Sequence, residues 1–315
     1  MKIKLLLALT TISLAVSGSY SINTSSGVTE GQLNDKVISW HDIPYAQPPI
    51  GALRWRAPKE LISPNLSIEP KDNNFCIQKT SSLGGSSQFS DEDISGTEDC
   101  LYLDVFAPKN YKNNPLPVMF WIHGGGNTSG LKDLYEFNKM VKEHEVIIVR
   151  INYRLGPFGW FTHPAIQDLQ DGIDKTSNFG TLDIIAALGW VQKNISLFGG
   201  DPNNVTIFGE SAGGHNVYSL IASKSANGLF HKAIAMSGYT TSISPQDAYK
   251  QDKDSATSDY TSWEVVNNII QDDQQNFGKE EIRDILLNMS AENFFKIYVE
   301  RESYQELPLL TSDGI

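Results

Sequence analysis

The run Val205-Thr206-Ile207-Phe208-Gly209-Glu210-Ser211-Ala212-Gly213-Gly214 decides how this chain is read. Its first four residues are β-branched or aromatic and form a short apolar strand. Gly209-x-Ser211-x-Gly213 follows directly, and a helix-like segment comes after it. In a chain with 25 glycines such a pattern has little weight alone; its place between a strand and a helix gives it meaning. A turn that sharp leaves no room for a Cβ on either side of the serine. The serine is lifted above the sheet in a strained conformation, with the positive end of the next helix behind it. Ser211 is therefore the candidate nucleophile, and a solvent serine in a glycine-rich turn is the plainer alternative.

Further runs of the same kind precede this strand at residues 101–106, 118–122 and 146–151. Continuous apolar runs suit strands buried on both faces of a parallel sheet. Residues 37–40 and 233–236 are two more strand candidates, and Pro48-Pro49 breaks regular structure after Ile43-Pro44-Tyr45-Ala46. Leu182, Ile185, Ala186, Trp190, Val191 and Ile195 fall near one helical face, and Gly199-Gly200-Asp201-Pro202 stops that helix. Helical spacing returns from Trp263 through Val266, Ile269 and Ile270 to Ile282, Ile285, Leu286, Phe294, Phe295 and Tyr298. Strands alternating with helices predict an α/β architecture with a central, mostly parallel sheet flanked by helices.

The 315 residues are 40% hydrophobic and 20% charged, which excludes a disordered chain. Lys and Arg number 25 against 37 Asp and Glu, a net charge of −12 that repels phosphate backbones and excludes a nucleic-acid partner. From 241 to 315 there are 15 carboxylates against 6 bases, so −9 of that charge sits in the last quarter. Residues 1–19 read as a signal peptide: Lys2 and Lys4, then a short apolar stretch at 5–16, then Ser17-Gly18-Ser19. That stretch is too short for roughly 30 Å of hydrocarbon, so no membrane span is expected and the chain is exported, to a periplasm or the outside. Residues 20–315 then form one α/β unit. In an exported protein the lone pair Cys76 and Cys100 forms one disulfide, with two buried free thiols as the alternative. The Ser-, Gly- and Asp-rich stretch between them, 81–96, reads as an exposed loop.

His123-Gly124-Gly125-Gly126 closes the 118–122 strand. Three successive glycines let backbone N–H groups point at a negatively charged oxygen without obstruction from side chains. Upstream of a serine elbow, that is the arrangement an oxyanion hole needs.

Five blocks in order resemble type B carboxylesterases, α/β-hydrolase proteins related to cholinesterases. They are Ile43-Pro44-Tyr45-Ala46, Glu98-Asp99-Cys100-Leu101-Tyr102-Leu103, Trp121 to Gly126, Asn152-Tyr153-Arg154, and Phe198-Gly199-Gly200-Asp201-Pro202 through Gly214. The resemblance implies the α/β-hydrolase fold, hydrolysis of a small-molecule carboxylic ester, Ser211 as nucleophile, and the N–H groups of Gly125, Gly126 and Ala212 as oxyanion donors. It also implies that Cys76 and Cys100 match the family's first disulfide, and that Glu210 shapes the nucleophile's surroundings. Neither a cofactor nor a metal is expected, since no His, Cys and carboxylate cluster has ligand spacing. The departures from the family pattern are Asp42 for a glycine, Asn127 for a frequent aromatic and Ile184 for a common glutamine.

A serine needs a base, normally a histidine held by a carboxylate, and in this fold both follow it in the chain. After Ser211 come only His215, which could share a helix face with it, and His231, which precedes the 233–236 strand at the far end of the sheet. His144 shares that fault, His163 is a remote candidate, and His41 and His123 read as structural. The last residues, Leu307 to Ile315, resemble a family segment that precedes the acid and the histidine. The expectation is a chain stopping before two triad members and before the last strands, with 233–236 as an open sheet edge. Three readings compete: a serine carboxylesterase, a non-catalytic cholinesterase-like binding or adhesion protein, and an inactive shortened relative of an esterase.

Overall fold

The computed structural model describes residues 20–81, 94–249, 261–271, 276–299 and 310–314. The expected signal peptide and most of the expected loop at 81–96 lie outside the described residues.

Strands β1 (Tyr20–Thr24), β2 (Gly27–Asn34), β3 (Val37–Pro44) and β4 (Ser67–Ile68) open the chain, and a short pair, β5 (Gln78–Lys79) and β6 (Ile94–Ser95), follows. The later strands are β7 (Tyr102–Pro108), β8 (Leu116–Ile122), β9 (Ile147–Ile151), β10 (Gly200–Glu210) and β11 (Lys232–Met236). Among the described residues the main sheet runs β1-β2-β3-β7-β9-β8-β10-β11, with β4 beside β2. From β9 through β8 and β10 to β11 the pairing is parallel, and from β1 to β9 it is antiparallel. The apolar run at 101–106 is thus a strand buried along its whole length, but it lies antiparallel to β9. Burial on both faces sets composition; direction is set by the connections, which composition does not encode.

Helices α1 (Asn138–His144), α2 (Gly156–Gly159), α3 (Pro164–Gln167), α4 (Phe179–Asn194) and α5 (Ala212–Ala222) connect these strands. The acidic last quarter holds α6 (Pro245–Tyr249), which lies before the helical spacing begins, and then α7 (Ser262–Ile270), α8 (Lys279–Asn288) and α9 (Ala291–Val299), as the spacing from Trp263 onward predicts. One core cluster joins the sheet to α4 and α5, and a smaller one lies on the opposite face under α1. A third gathers α7, α8 and α9 around Trp55, whose indole N–H donates to Pro157 O at 2.8 Å. Arg54 closes that cluster by donating to the α8 carbonyl of Leu286 and to Met289 O, both at 2.8 Å, while it forks onto Glu98. Cys76 and Cys100 are disulfide-bonded, with Cα atoms 4.9 Å apart.

Two departures from the family pattern have local explanations. Asp42 occupies the left-handed region at φ 56°, in the irregularity between Trp40 and Ile43 where β3 slips against β7. A glycine fits there without strain; aspartate is tolerated because its carboxylate is tied to Lys132 Nζ at 3.0 Å, to Lys71 N at 3.0 Å and to Asn74. Ile184 is fully buried in α4, which is covered nearly all round, well beyond the single face its spacing predicts. At the other end of the sheet, Ile234 and Met236 of β11 are exposed, and no strand among the described residues pairs with the outer edge of β11.

Candidate active site

β10 ends at Glu210 and α5 begins at Ala212, so Ser211 alone makes the turn, with φ 55° and ψ −119°. Only glycine takes that conformation without strain, of order 1–3 kcal/mol for another residue. Packing enforces it. A Cβ on Gly209 would lie 2.5 Å from Gly213 C and O, and one on Gly213 would lie 2.1 Å from Ile122 O. Ser211 N donates to Met236 O of β11 at 2.9 Å, and Ser211 O accepts from His215 N at 3.0 Å.

The glycine loop leaves the adjacent strand β8 and comes to rest against this turn. A Cβ on Gly124 would lie 2.7 Å from Glu210 O and 3.2 Å from Ser211 Cβ. Gly125 and Gly126 have φ of 103° and 65°, and a Cβ on Gly125 would lie 2.2 Å from Ser129 O. The loop is closed by Thr128 N and Ser129 N donating to Gly125 O at 3.1 and 2.9 Å, bonds in which the Gly125 and Gly126 N–H groups take no part. Asn127, also left-handed at φ 59°, is buried; its Oδ1 accepts from Asn216 Nδ2 of α5 at 2.8 Å and from Tyr153 OH at 3.3 Å. Tyr153 OH also donates to His123 O at 2.7 Å, and its ring stacks on the His123 imidazole at 4.4 Å. In the sequence the family-atypical Asn127 was the one visible signal of this clamp. The result is a cleft of about 330 Å³ lined by Gly124, Gly125, Gly126, Glu210 and Ser211 among others.

A family model described as "Carboxylesterase family" matches residues 18–309. The chain belongs to the carboxylesterase family. It is 41% identical over 233 residues to the para-nitrobenzyl esterase of Bacillus subtilis (strain 168), covering 72% of this chain and 45% of that protein. It is 33% identical over 312 residues to liver carboxylesterase 1F of Rattus norvegicus, covering 92% of this chain and 53% of the relative. A solved structure of a thermophilic PNB esterase superposes with a TM-score of 0.74 at 33% identity, over 92% of this chain and 56% of that one. The chain therefore has the α/β-hydrolase fold and spans about half the length of the curated relatives it matches.

In this carboxylesterase-family chain all six histidines are described, and no histidine ring hydrogen-bonds the Ser211 hydroxyl. His215 sits one turn along α5, buried, with its ring edge-on to Tyr239 at 4.3 Å. His163 Nδ1 accepts from Ala165 N at 3.1 Å at the start of α3. His231 Nδ1 accepts from Val205 N at 3.2 Å, and exposed His144 ends α1. Both lie before parallel strands, at the end of the sheet opposite the elbow. His41 faces Ser39 Oγ at 2.9 Å and Asp104 at 3.2 Å. His123 is structural as read: burial pushes its imidazole down to about 4, so it is neutral, and Nδ1 lies 2.8 Å from Gly124 O.

The remaining family blocks are scaffold. Arg154 forks onto buried Asp183 at 2.8 and 2.7 Å, fixing the loop after β9 to α4. Asp104, Lys132 and Arg150 form a buried charge cluster beneath the glycine loop's exit. Burial alone would push the Asp104 carboxyl up, but Lys132, Arg150 and His41 together hold it well below the usual carboxylate range. The segment 310–314 docks on the turn before α4. Thr311 and Asn178 exchange two bonds at 2.9 and 3.0 Å, and Asp313 Oδ2 accepts from Thr176 Oγ1 and Ser177 N at 2.7 and 3.0 Å.

Proposed function

We propose that the cleft hydrolyses carboxylic esters of small molecules through an acyl-enzyme on Ser211. The Ser211 oxygen adds to the ester carbonyl carbon, and the carbonyl oxygen becomes an oxyanion held by the N–H groups of Gly125, Gly126 and Ala212. The C–O bond to the alcohol then breaks and the alcohol leaves with a proton; water repeats the addition on the acyl-enzyme and releases the acid. Donors fixed beforehand suit this charge, each contributing about 3–4 kcal/mol to the barrier's lowering. The observation that carries the reading is the Ser211 backbone at φ 55° and ψ −119°, held against Gly124 of the glycine loop. A non-catalytic adhesion role leaves that strain without a purpose.

Serine must give up its proton, and the placements of the six histidines favour none of them as acceptor. We infer that the 315-residue chain by itself lacks the base, and that an external one restores part of the rate. The test uses 4-nitrophenyl butyrate, wild type and Ser211→Ala, each with and without imidazole. Equal rates are expected in buffer, and a Ser211-dependent increment is expected once imidazole is added. Ser211-dependent turnover in buffer would place the base among the six histidines; no increment with imidazole would remove Ser211 as nucleophile. Export remains the best reading of residues 1–19, supported by the disulfide and by the lack, among the described residues, of any helix long and apolar enough to cross a membrane.

A further inference from the structure

The far end of the glycine loop is held by a side chain from a distant part of the sequence. Gln78 of β5 is fully buried, and its amide pairs with both backbone groups of Gly130. Gly130 N donates to Gln78 Oε1 at 2.8 Å, and Gln78 Nε2 donates to Gly130 O at 3.0 Å. Nε2 also donates to Cys76 O at 3.0 Å, so both amide hydrogens and the oxygen are used. The side chain does for Gly130 what a neighbouring strand does for a strand residue. Its base is fixed, because Cys76, two residues earlier, is disulfide-bonded to Cys100 ahead of β7. A second amide braces the same place: Asn152 Nδ2 donates to Asn74 O at 2.9 Å, and its Oδ1 accepts from Lys132 N at 2.7 Å.

Gly130 in turn lies tight against the start of the loop. A Cβ on it would lie 2.5 Å from both Gly124 O and His123 Nδ1. Between these two ends, Gly125 O gathers four donors: Thr128 N and Ser129 N at 3.1 and 2.9 Å, and their hydroxyls at 3.2 and 3.1 Å. In a planar trans peptide the N–H points opposite to the C=O, so this gathering turns Gly126 N–H away from residues 128 and 129. The direction of that donor therefore depends on residues 128–130 staying where they are. Both amide braces on their exit lead back to the segment 74–78.

We propose that Gln78 is a positioning residue for the oxyanion donors, acting through Gly130; this rests on the reading of Ser211 and the glycine loop as an ester site. Gln78 does not line the cleft, so it touches neither substrate nor Ser211. Without its bonds to Gly130 the 128–130 turn is free to shift, and a misplacement of about 1 Å at a reacting centre costs about a hundredfold in rate. A buried amide that served only the fold would weaken the whole structure and would not single out the loop.

The test compares wild type, Gln78→Met and Gln78→Glu as the full 315-residue chain. Methionine keeps the length and packing and removes all three bonds; glutamate keeps an acceptor for Gly130 N–H. Hydrogen exchange followed by mass spectrometry reads the order of the loop without calling on Ser211. For Gln78→Met, exchange at least about tenfold faster is expected in peptides covering 125–131, with those covering 204–210 of β10 unchanged. Phenylboronic acid, titrated by calorimetry, reads the consequence at Ser211. Its Kd is expected to rise about ten- to hundredfold in Gln78→Met, with Gln78→Glu between that variant and wild type. Should Gln78→Met fail to fold by circular dichroism, Gln78→Glu carries both measurements with the same expected direction. Unaltered exchange at 125–131, exchange raised equally in β10, or an unaltered Kd beside a loosened loop would each overturn the proposal. A wild type that binds phenylboronic acid no better than Ser211→Ala would instead refute the ester-hydrolysis reading, and the positioning role with it. That result is distinct from a wild type and a Gln78 variant that bind equally well.

Discussion

Replacement of Ser211 by glycine should make this protein more stable, whereas replacement by alanine should not. The turn residue sits at φ 55° and ψ −119°, a conformation that costs a side-chain-bearing residue about 1–3 kcal/mol and glycine almost nothing. Its side chain caps no backbone N–H of α5, so no hydrogen bond is lost with the hydroxyl. Against the relief stands the greater freedom of glycine in the unfolded chain, about 0.4–1 kcal/mol. The balance favours Ser211→Gly by about 1–2 kcal/mol. Ser211→Ala keeps the Cβ and therefore the strain, so its stability should stay within about 0.5 kcal/mol of wild type. Urea unfolding followed by tryptophan fluorescence reads the difference. With a slope of about 3 kcal/mol/M, the glycine variant's midpoint rises by about 0.3–0.7 M over the alanine variant's. Equal midpoints, or a lower one for glycine, would mean that the turn stores no strain and would refute the elbow as described.

The other predictions concern the elbow's wall, its neighbouring histidine and the disulfide. Gly213→Ala places a Cβ 2.1 Å from Ile122 O, so despite alanine's better helix propensity it should lower stability by about 2 kcal/mol or more in the same urea assay. His123 is held neutral with its value pushed down from 6.5 to about 4 by burial. The unfolded chain takes up a proton there first as pH falls, so stability present above pH 6.5 is lost between about 6.5 and 4, up to about 3 kcal/mol. His123→Asn should flatten that part of the stability–pH curve, and an unaltered slope would reassign it. Cys76→Ser with Cys100→Ser opens a loop with a sequence separation of 24 and should cost about 3 kcal/mol, seen as a lower midpoint that dithiothreitol does not lower further.

The strand-to-helix context of Gly209 to Gly213 was legible in the sequence because both glycines answer a local steric demand. The glycine loop was legible for the same reason, and both arrive in one cleft. What composition could not convey is set by long-range pairing. The 101–106 run carries the residues of a fully buried strand, yet its antiparallel direction follows from where β9 sits beside it. The periodicity of α4 shows one face, while its neighbours bury almost the entire helix. Asn127 looked like a departure from the family pattern. Its function as a clamp depends on Tyr153 and Asn216, 26 and 89 residues away, which no local pattern relates. The histidines were hardest to place by sequence spacing. His215 is on the right helix, but its ring lies against Tyr239.

Ser211 and the three backbone donors can be tested together, without any base, by a crystal structure of the chain with phenylboronic acid. Boron accepts the serine oxygen at equilibrium and carries an oxygen where the oxyanion would form. The account predicts a bond from boron to Ser211 Oγ, with one boronate oxygen about 3 Å from the N atoms of Gly125, Gly126 and Ala212. A boronate bound elsewhere, or one on Ser211 whose oxygens turn away from those three groups, would contradict it.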